Sequence, residues 1–133
     1  MSDDNPTDNK MAGFTAFRQR MNDRILAEDN QVVRRFFALD TQTYKAGALN
    51  VKTKELLGLV ASMVLRCDDC ISYHVAQCKD AGVSREEFFE TFSVGLVVGG
   101  SIVIPHLRRA VDLLDRLEAG SQTAAAEHCA DHS

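Results

Sequence analysis

The sequence predicts an all-α fold, a compact bundle of about six helices. Three observations lead there. Apolar residues recur at intervals of three and four along most of the chain. No stretch sustains the period-two alternation of a half-buried strand. Residues that start or stop helices, chiefly Gly82, Ser84, Glu87 and the Gly99-Gly100 pair, separate the periodic segments.

Taken in order, residues 1–10 are polar, carry Pro6 and offer nothing to a core, so they read as a disordered leader. Helical spacing begins at Met11 and runs through Phe14, Phe17, Met21 and Ile25. A second segment holds Val32, Val33, Phe36, Phe37 and Leu39, and Gly47 then breaks the pattern. Residues 53–65 form a third helix. Leu56, Leu57, Leu59, Val60, Met63 and Val64 make it apolar nearly all round, which predicts burial on every face.

Asp68 and Asp69 are expected to cap a fourth helix carrying Ile71, His74, Val75 and Cys78, which Gly82 closes. Ser84 and Glu87 have capping-box spacing for a fifth helix over about 88–98. Pro105 lies in the first turn of a last helix, with Leu107, Val111, Leu114 and Leu117 on one face. Residues 120–133, alanine-rich and polar, read as a flexible tail, leaving a single helical domain over 11–119.

Composition narrows the function. With 133 residues, the chain has one domain's length and can bury roughly two thirds of its unfolded surface without disulfide staples. An apolar share of 45% and a charged share of 26% exclude a largely disordered or collagen-like chain. Fifteen Lys and Arg against nineteen Asp and Glu give a net charge of −4. Without a basic block, nucleic acid and anionic membranes are poor partners. The polar, acidic start has no signal-peptide pattern. The longest nearly apolar stretch, 94–107, is too short and too broken to span a bilayer. A cytoplasmic protein is expected, and there paired thiols serve catalysis or metal binding more often than structure.

The chemistry concentrates in Cys67-Asp68-Asp69-Cys70-Ile71-Ser72-Tyr73-His74. A C-x-x-C at a helix start places thiols where free N–H groups stabilise a thiolate. Cysteines three apart can cycle between dithiol and disulfide. His74 follows Cys70 by four residues, on the same helical face one turn on, within reach of its proton. Spacing thus favours Cys70 as the activated thiol, whereas the helix dipole favours Cys67, and on the residues alone both assignments stand. The carboxylates of Asp68 and Asp69 oppose thiolate formation unless they turn away as caps.

A zinc reading uses Cys67, Cys70, His74 and Cys78. Along a helix, however, Cys67 and Cys78 are ~16 Å apart. One tetrahedral ion with bonds near ~2.3 Å does not bridge that, so the pattern supplies at most three ligands and no metal site is assigned. Cys78 reads as a small buried hydrophobe. Alone, Glu55 is an ordinary first-turn glutamate and His106 a helix-start residue. Arg108-Arg109 reads as a solvated face, and Phe36-Phe37 and Phe88-Phe89 as core. His128, Cys129 and His132 lie in the expected tail. A non-enzymatic metal-binding or scaffold module is the competing hypothesis.

With Glu55 twelve residues before Cys67, then Cys70 and His74, the chain resembles the carboxymuconolactone decarboxylase superfamily, in its alkyl hydroperoxidase D-like branch. The run from Gly99-Gly100-Ser101 to Pro105 is similar to that family's G-G-S-x-x-x-P stretch. The resemblance covers about residues 50–117. It implies a thiol-dependent peroxidase or disulfide reductase in which Cys70 attacks, Cys67 resolves, and Glu55 with His74 relays the proton. Asp69 stands where some members have a histidine. The decarboxylase branch lacks the C-x-x-C, which makes decarboxylation the alternative chemistry. The resemblance also implies no bound cofactor, a hydroperoxide or disulfide substrate, and an external dithiol reductant such as a lipoyl group on a carrier protein.

Two geometric expectations follow. In one straight helix Glu55 and Cys67 would lie ~18 Å apart. A shared site therefore requires a chain reversal near 66–69, or a Glu55 from a neighbouring subunit. Two strongly apolar segments, 53–65 and 94–104, exceed the interior that six small helices offer. With the resemblance, this predicts a homotrimer, or a homohexamer built from dimers.

Overall fold

The computed structural model describes the backbone over residues 6–130 and side chains over 12–120. Six α-helices succeed one another: α1 (Pro6–Ala27), α2 (Gln31–Thr43), α3 (Val51–Leu65), α4 (Asp68–Asp80), α5 (Arg85–Gly99) and α6 (Ile104–Ala130), with one 3₁₀ turn, Ser101–Val103, before α6. No strand occurs among the described residues. The all-α expectation and its helix count hold.

Helix extends past both ends of the expected domain. Helix α1 starts at Pro6, inside the expected leader; proline suits a first helical position, where its missing N–H costs nothing. Helix α6 continues through the expected tail to Ala130, a stretch whose Ala124, Ala125 and Ala126 are the strongest helix formers. The chain forms two compact units, 1–45 and 46–133.

The first unit is a helix pair. Asp29 turns the chain with φ 58°, and Asn30 caps α2, its side chain accepting from the N–H groups of Val32 and Val33 at 3.1 Å each. No residue of α2 is buried, and Phe36 is 70% exposed. Two helices alone enclose too little volume for a core, so the expected burial of Phe36 is not met.

In the second unit, α3 packs on α4 and α5, and α4 packs on α6. Leu59, Met63, Val75, Phe88, Phe92 and Leu114 are among the fully buried side chains at its centre. Gly82 follows α4 at φ +84°, and Gly100 follows α5 at φ +82°, both in the left-handed region open to glycine. The capping box forms as expected. The Glu87 N–H donates to Ser84 Oγ at 3.1 Å, and the Ser84 N–H donates to Glu87 Oε1 at 2.9 Å. Lys52 Nζ on α3 reaches that same Oε1 at 2.8 Å, pairing α3 with the start of α5. The lysine first, and then the Ser84 N–H, hold the Glu87 carboxyl down at about 2.

Helix α3 is not buried all round. Leu59 and Met63 face the core, whereas Leu57 is 52% and Leu65 77% exposed. In the other apolar segment Val94, Val97, Val98 and Ile102 are also exposed. Four helices leave α3 and α5 each with an apolar face that the chain's core does not use.

Candidate functional site

The site forms where α3 hands over to α4. Arg66 closes α3 in the left-handed conformation, φ 59° and ψ 43°. Its N–H donates to the Met63 carbonyl at 3.0 Å, and the Cys67 N–H donates to the Ser62 carbonyl at 3.1 Å, a Schellman-type closure. Left-handed backbone is costly for a residue with a side chain, and such strain gathers at functional sites. Here it reverses the chain within two residues and lays α4 back along α3. The expected reversal at 66–69 is thus present, and Glu55 needs no neighbouring subunit to join the site.

Cys67, and neither aspartate, is the N-cap of α4, with extended backbone at φ −101° and ψ 99°. This corrects the expected capping role of Asp68 and Asp69. Once Arg66 has turned the chain, Cys67 is the first extended residue, and the aspartates occupy the first two helical positions. Cys67 Sγ accepts the Cys70 N–H at 3.3 Å, so this sulfur sits on the amides of the helix start. Cys67 and Cys70 are joined as a disulfide with Cα atoms 5.3 Å apart, a usual separation for such a bond. Cys70 is exposed and Cys67 half-buried.

One turn beyond Cys70, His74 is buried with 8% exposure, and Glu55 on α3 is buried with 4%. His74 Nδ1 and Glu55 Oε2 are 2.8 Å apart. An ionised carboxylate only accepts, so Nδ1 donates. This is how a carboxylate fixes the tautomer of a general base. Helix geometry sets His74 and Cys70 as neighbours on one face of α4, with Cβ atoms about 5–6 Å apart. Tyr73 meets the His74 ring edge-on at 5.2 Å between centroids. Glu55 is therefore no ordinary first-turn glutamate. It is the buried partner of the histidine next to the thiols.

Cys78, one further turn along α4, is fully buried and outside the disulfide. Burial first, and then the Glu55 charge, push its thiol up to about 12, and it fills the core as the small buried side chain expected. No group of three His, Cys, Asp or Glu side chains is arranged to hold a metal among the described residues. His128 and Cys129 lie where only backbone is described, and His132 lies beyond the described residues.

Two residues that the sequence reads as a helix-start histidine and part of a solvated face, His106 and Arg109, join the site. His106 Nδ1 donates to Asp68 Oδ1 at 2.7 Å, and Arg109 Nη1 donates to Asp68 Oδ2 at 3.1 Å. His106 and Arg109 lie three apart, on one face of α6. That spacing was the available signal, but nothing in the linear sequence ties it to a carboxylate 38 residues earlier.

Comparison with known proteins bears on the family and the fold. The model of the carboxymuconolactone decarboxylase family matches residues 30–113. Two crystal structures of one Thermotoga maritima protein superpose with TM-scores of 0.81 at 52% and 51% identity. They cover 84% of this chain and 97% and 95% of theirs. One of them is described as a carboxymuconolactone decarboxylase family protein and an antioxidative-response candidate. A Legionella pneumophila protein of that family shares the fold, with TM-score 0.74 at 24% identity over 81% of this chain and 96% of its own. The uncharacterized protein 4 of the cox locus in Paracoccus denitrificans is 28% identical over 83 residues, 62% of this chain and 75% of its own.

Proposed function

The chain belongs to the carboxymuconolactone decarboxylase family, and from that premise we propose that it is a thiol-dependent oxidoreductase of the alkyl hydroperoxidase D type. The observation that carries this reading is the Glu55–His74 pair, buried at 2.8 Å and set one turn behind a Cys67–Cys70 disulfide. A decarboxylase has no use for a thiol pair in register with a proton relay. The antioxidative candidacy of the Thermotoga maritima relative points the same way.

In the proposed cycle His74 takes the Cys70 proton and Glu55 steadies the resulting imidazolium. The Cys70 thiolate attacks the distal oxygen of a hydroperoxide. The O–O bond breaks, and the alcohol leaves with the proton that His74 returns. Cys70 is now a sulfenic acid. Cys67 gives up its proton, and its thiolate, stabilised at the helix start, attacks the Cys70 sulfur; the S–O bond breaks, the disulfide forms, and the leaving hydroxide takes up that proton as water. An external dithiol reduces it: one thiol attacks the exposed Cys70 sulfur while Cys67 leaves as the better-stabilised thiolate, and the second thiol then closes the reductant's own disulfide and releases Cys70. A lipoyl group on a carrier protein is a dithiol of the required kind. Such a cycle suits the cytoplasm, whose thiol pools keep supplying electrons. No helix among the described residues is long and apolar enough to cross a membrane.

The assay is consumption of a small alkyl hydroperoxide by the protein with dihydrolipoamide. Sustained, protein-dependent turnover is expected. Reduction of the disulfide without hydroperoxide consumption contradicts the peroxidase reading.

The same reading includes a homotrimer, or a homohexamer built from dimers. Val97 at 86% exposure, Val98 at 67% and Leu57 at 52% leave apolar side chains of α3 and α5 in water, and large exposed apolar patches are rare on monomers. Light scattering at micromolar concentration is expected to give at least three times the 14.7 kDa chain mass. A single species at the chain mass contradicts it.

A further inference from the structure

Asp68 poses an electrostatic problem for the proposed cycle. It directly follows Cys67, and a carboxylate beside a thiol opposes thiolate formation. Yet both of its oxygens are engaged away from α4, Oδ1 by His106 and Oδ2 by Arg109, side chains of α6. The His106 side chain is 17% exposed, so that half of the grip is largely sheltered from water. Arg109 is 65% exposed and contributes its charge from the rim.

We propose that His106 and Arg109 are positioning residues for the thiol pair: they draw the Asp68 carboxylate toward α6 and offset its charge, so that it does not oppose the Cys67 thiolate. The inference rests on the reading of Cys67 and Cys70 as a redox pair. Neither residue touches the reacting sulfurs; both act through Asp68. The arrangement also ties the first turn of α4 to the first two turns of α6, which fixes the direction in which the thiol-bearing turn points.

The test is the alkylation rate of Cys67 against pH, resolved by mass spectrometry on the reduced full-length protein. It needs no hydroperoxide, so its failure is distinct from a failure of the peroxidase reading. Arg109→Gln unmasks the Asp68 charge and is expected to raise the thiol pKa. A rise of half a unit to one unit slows alkylation at pH 7 by roughly three- to tenfold. Adding Asp68→Asn removes the unmasked charge, so the double variant is expected to recover to at least the wild-type rate. Arg109 is largely exposed, and its replacement leaves the core intact. An unchanged pH profile in Arg109→Gln overturns the proposal, as does a double variant that stays as slow as the single one. A purely structural ion pair would lower the melting temperature of both variants without this reversal in rate.

Discussion

Replacing Cys70 with serine is expected to abolish hydroperoxide turnover, with a loss of roughly a thousandfold or more, as for other removed nucleophiles. Replacing Cys67 is expected to stop turnover at a different point. The first step proceeds once and leaves a sulfenic acid at Cys70 that no partner resolves. The physical basis is the division of labour at the start of α4. Cys67 Sγ already accepts the Cys70 N–H at 3.3 Å and is held at the helix start. Cys70 is exposed and shares a helical face with the buried, carboxylate-bound His74. Base and access thus coincide at Cys70, whereas dipole and leaving-group ability coincide at Cys67. Trapping with a sulfenic-acid reagent, followed by mass spectrometry, separates the two variants. A trapped sulfenic acid at Cys67 in Cys70→Ser, with none at Cys70 in Cys67→Ser, would reverse the roles.

His74→Ala is expected to damage both the fold and the chemistry. Glu55 is 4% exposed, and its Oε2 loses its imidazole partner at 2.8 Å. Removing one member of a buried pair costs about 3–5 kcal/mol. For a chain of this size that is a fall in melting temperature of about 10 °C or more. The apparent pKa of the reactive thiol is also expected to rise, because the group that takes its proton is gone. Glu55→Gln separates the two effects. Its side-chain oxygen still accepts the Nδ1–H, so the stability loss is smaller, but the charge that steadies the imidazolium is absent and the thiol pKa still rises. Thermal melts and alkylation rates against pH read the two effects on the same samples. Unchanged alkylation profiles in both variants would leave Glu55 and His74 with a structural role only.

Much of the site was legible because it is local. Cys67, Cys70 and His74 lie within eight residues, and helical spacing alone puts Cys70 and His74 on one face. The capping box at Ser84 and Glu87 and the stop at Gly82 are local for the same reason. Glu55 was legible only through the family pattern. The reversal that brings it to His74 depends on a left-handed Arg66, and no composition rule assigns that conformation to an arginine. The same turn moved the N-cap from the aspartates to Cys67. His106 and Arg109 were not tied to the site because their partner is 38 and 41 residues away, across a helix packing that hydrophobic periodicity does not specify. Burial of Phe36 and of the whole of α3 was over-predicted for one reason. Apolar periodicity reports what a helix can bury, not how many neighbours it has.

The central claim is that Cys67 and Cys70 are a redox pair driven by Glu55 and His74. Fully reduced protein treated with one equivalent of a small alkyl hydroperoxide tests it most directly, with the products and the cysteine pairing read by mass spectrometry. The account predicts one alcohol released for each Cys67–Cys70 disulfide formed, with Cys78 still a thiol. Hydroperoxide left unconsumed while both thiols remain reduced would contradict it.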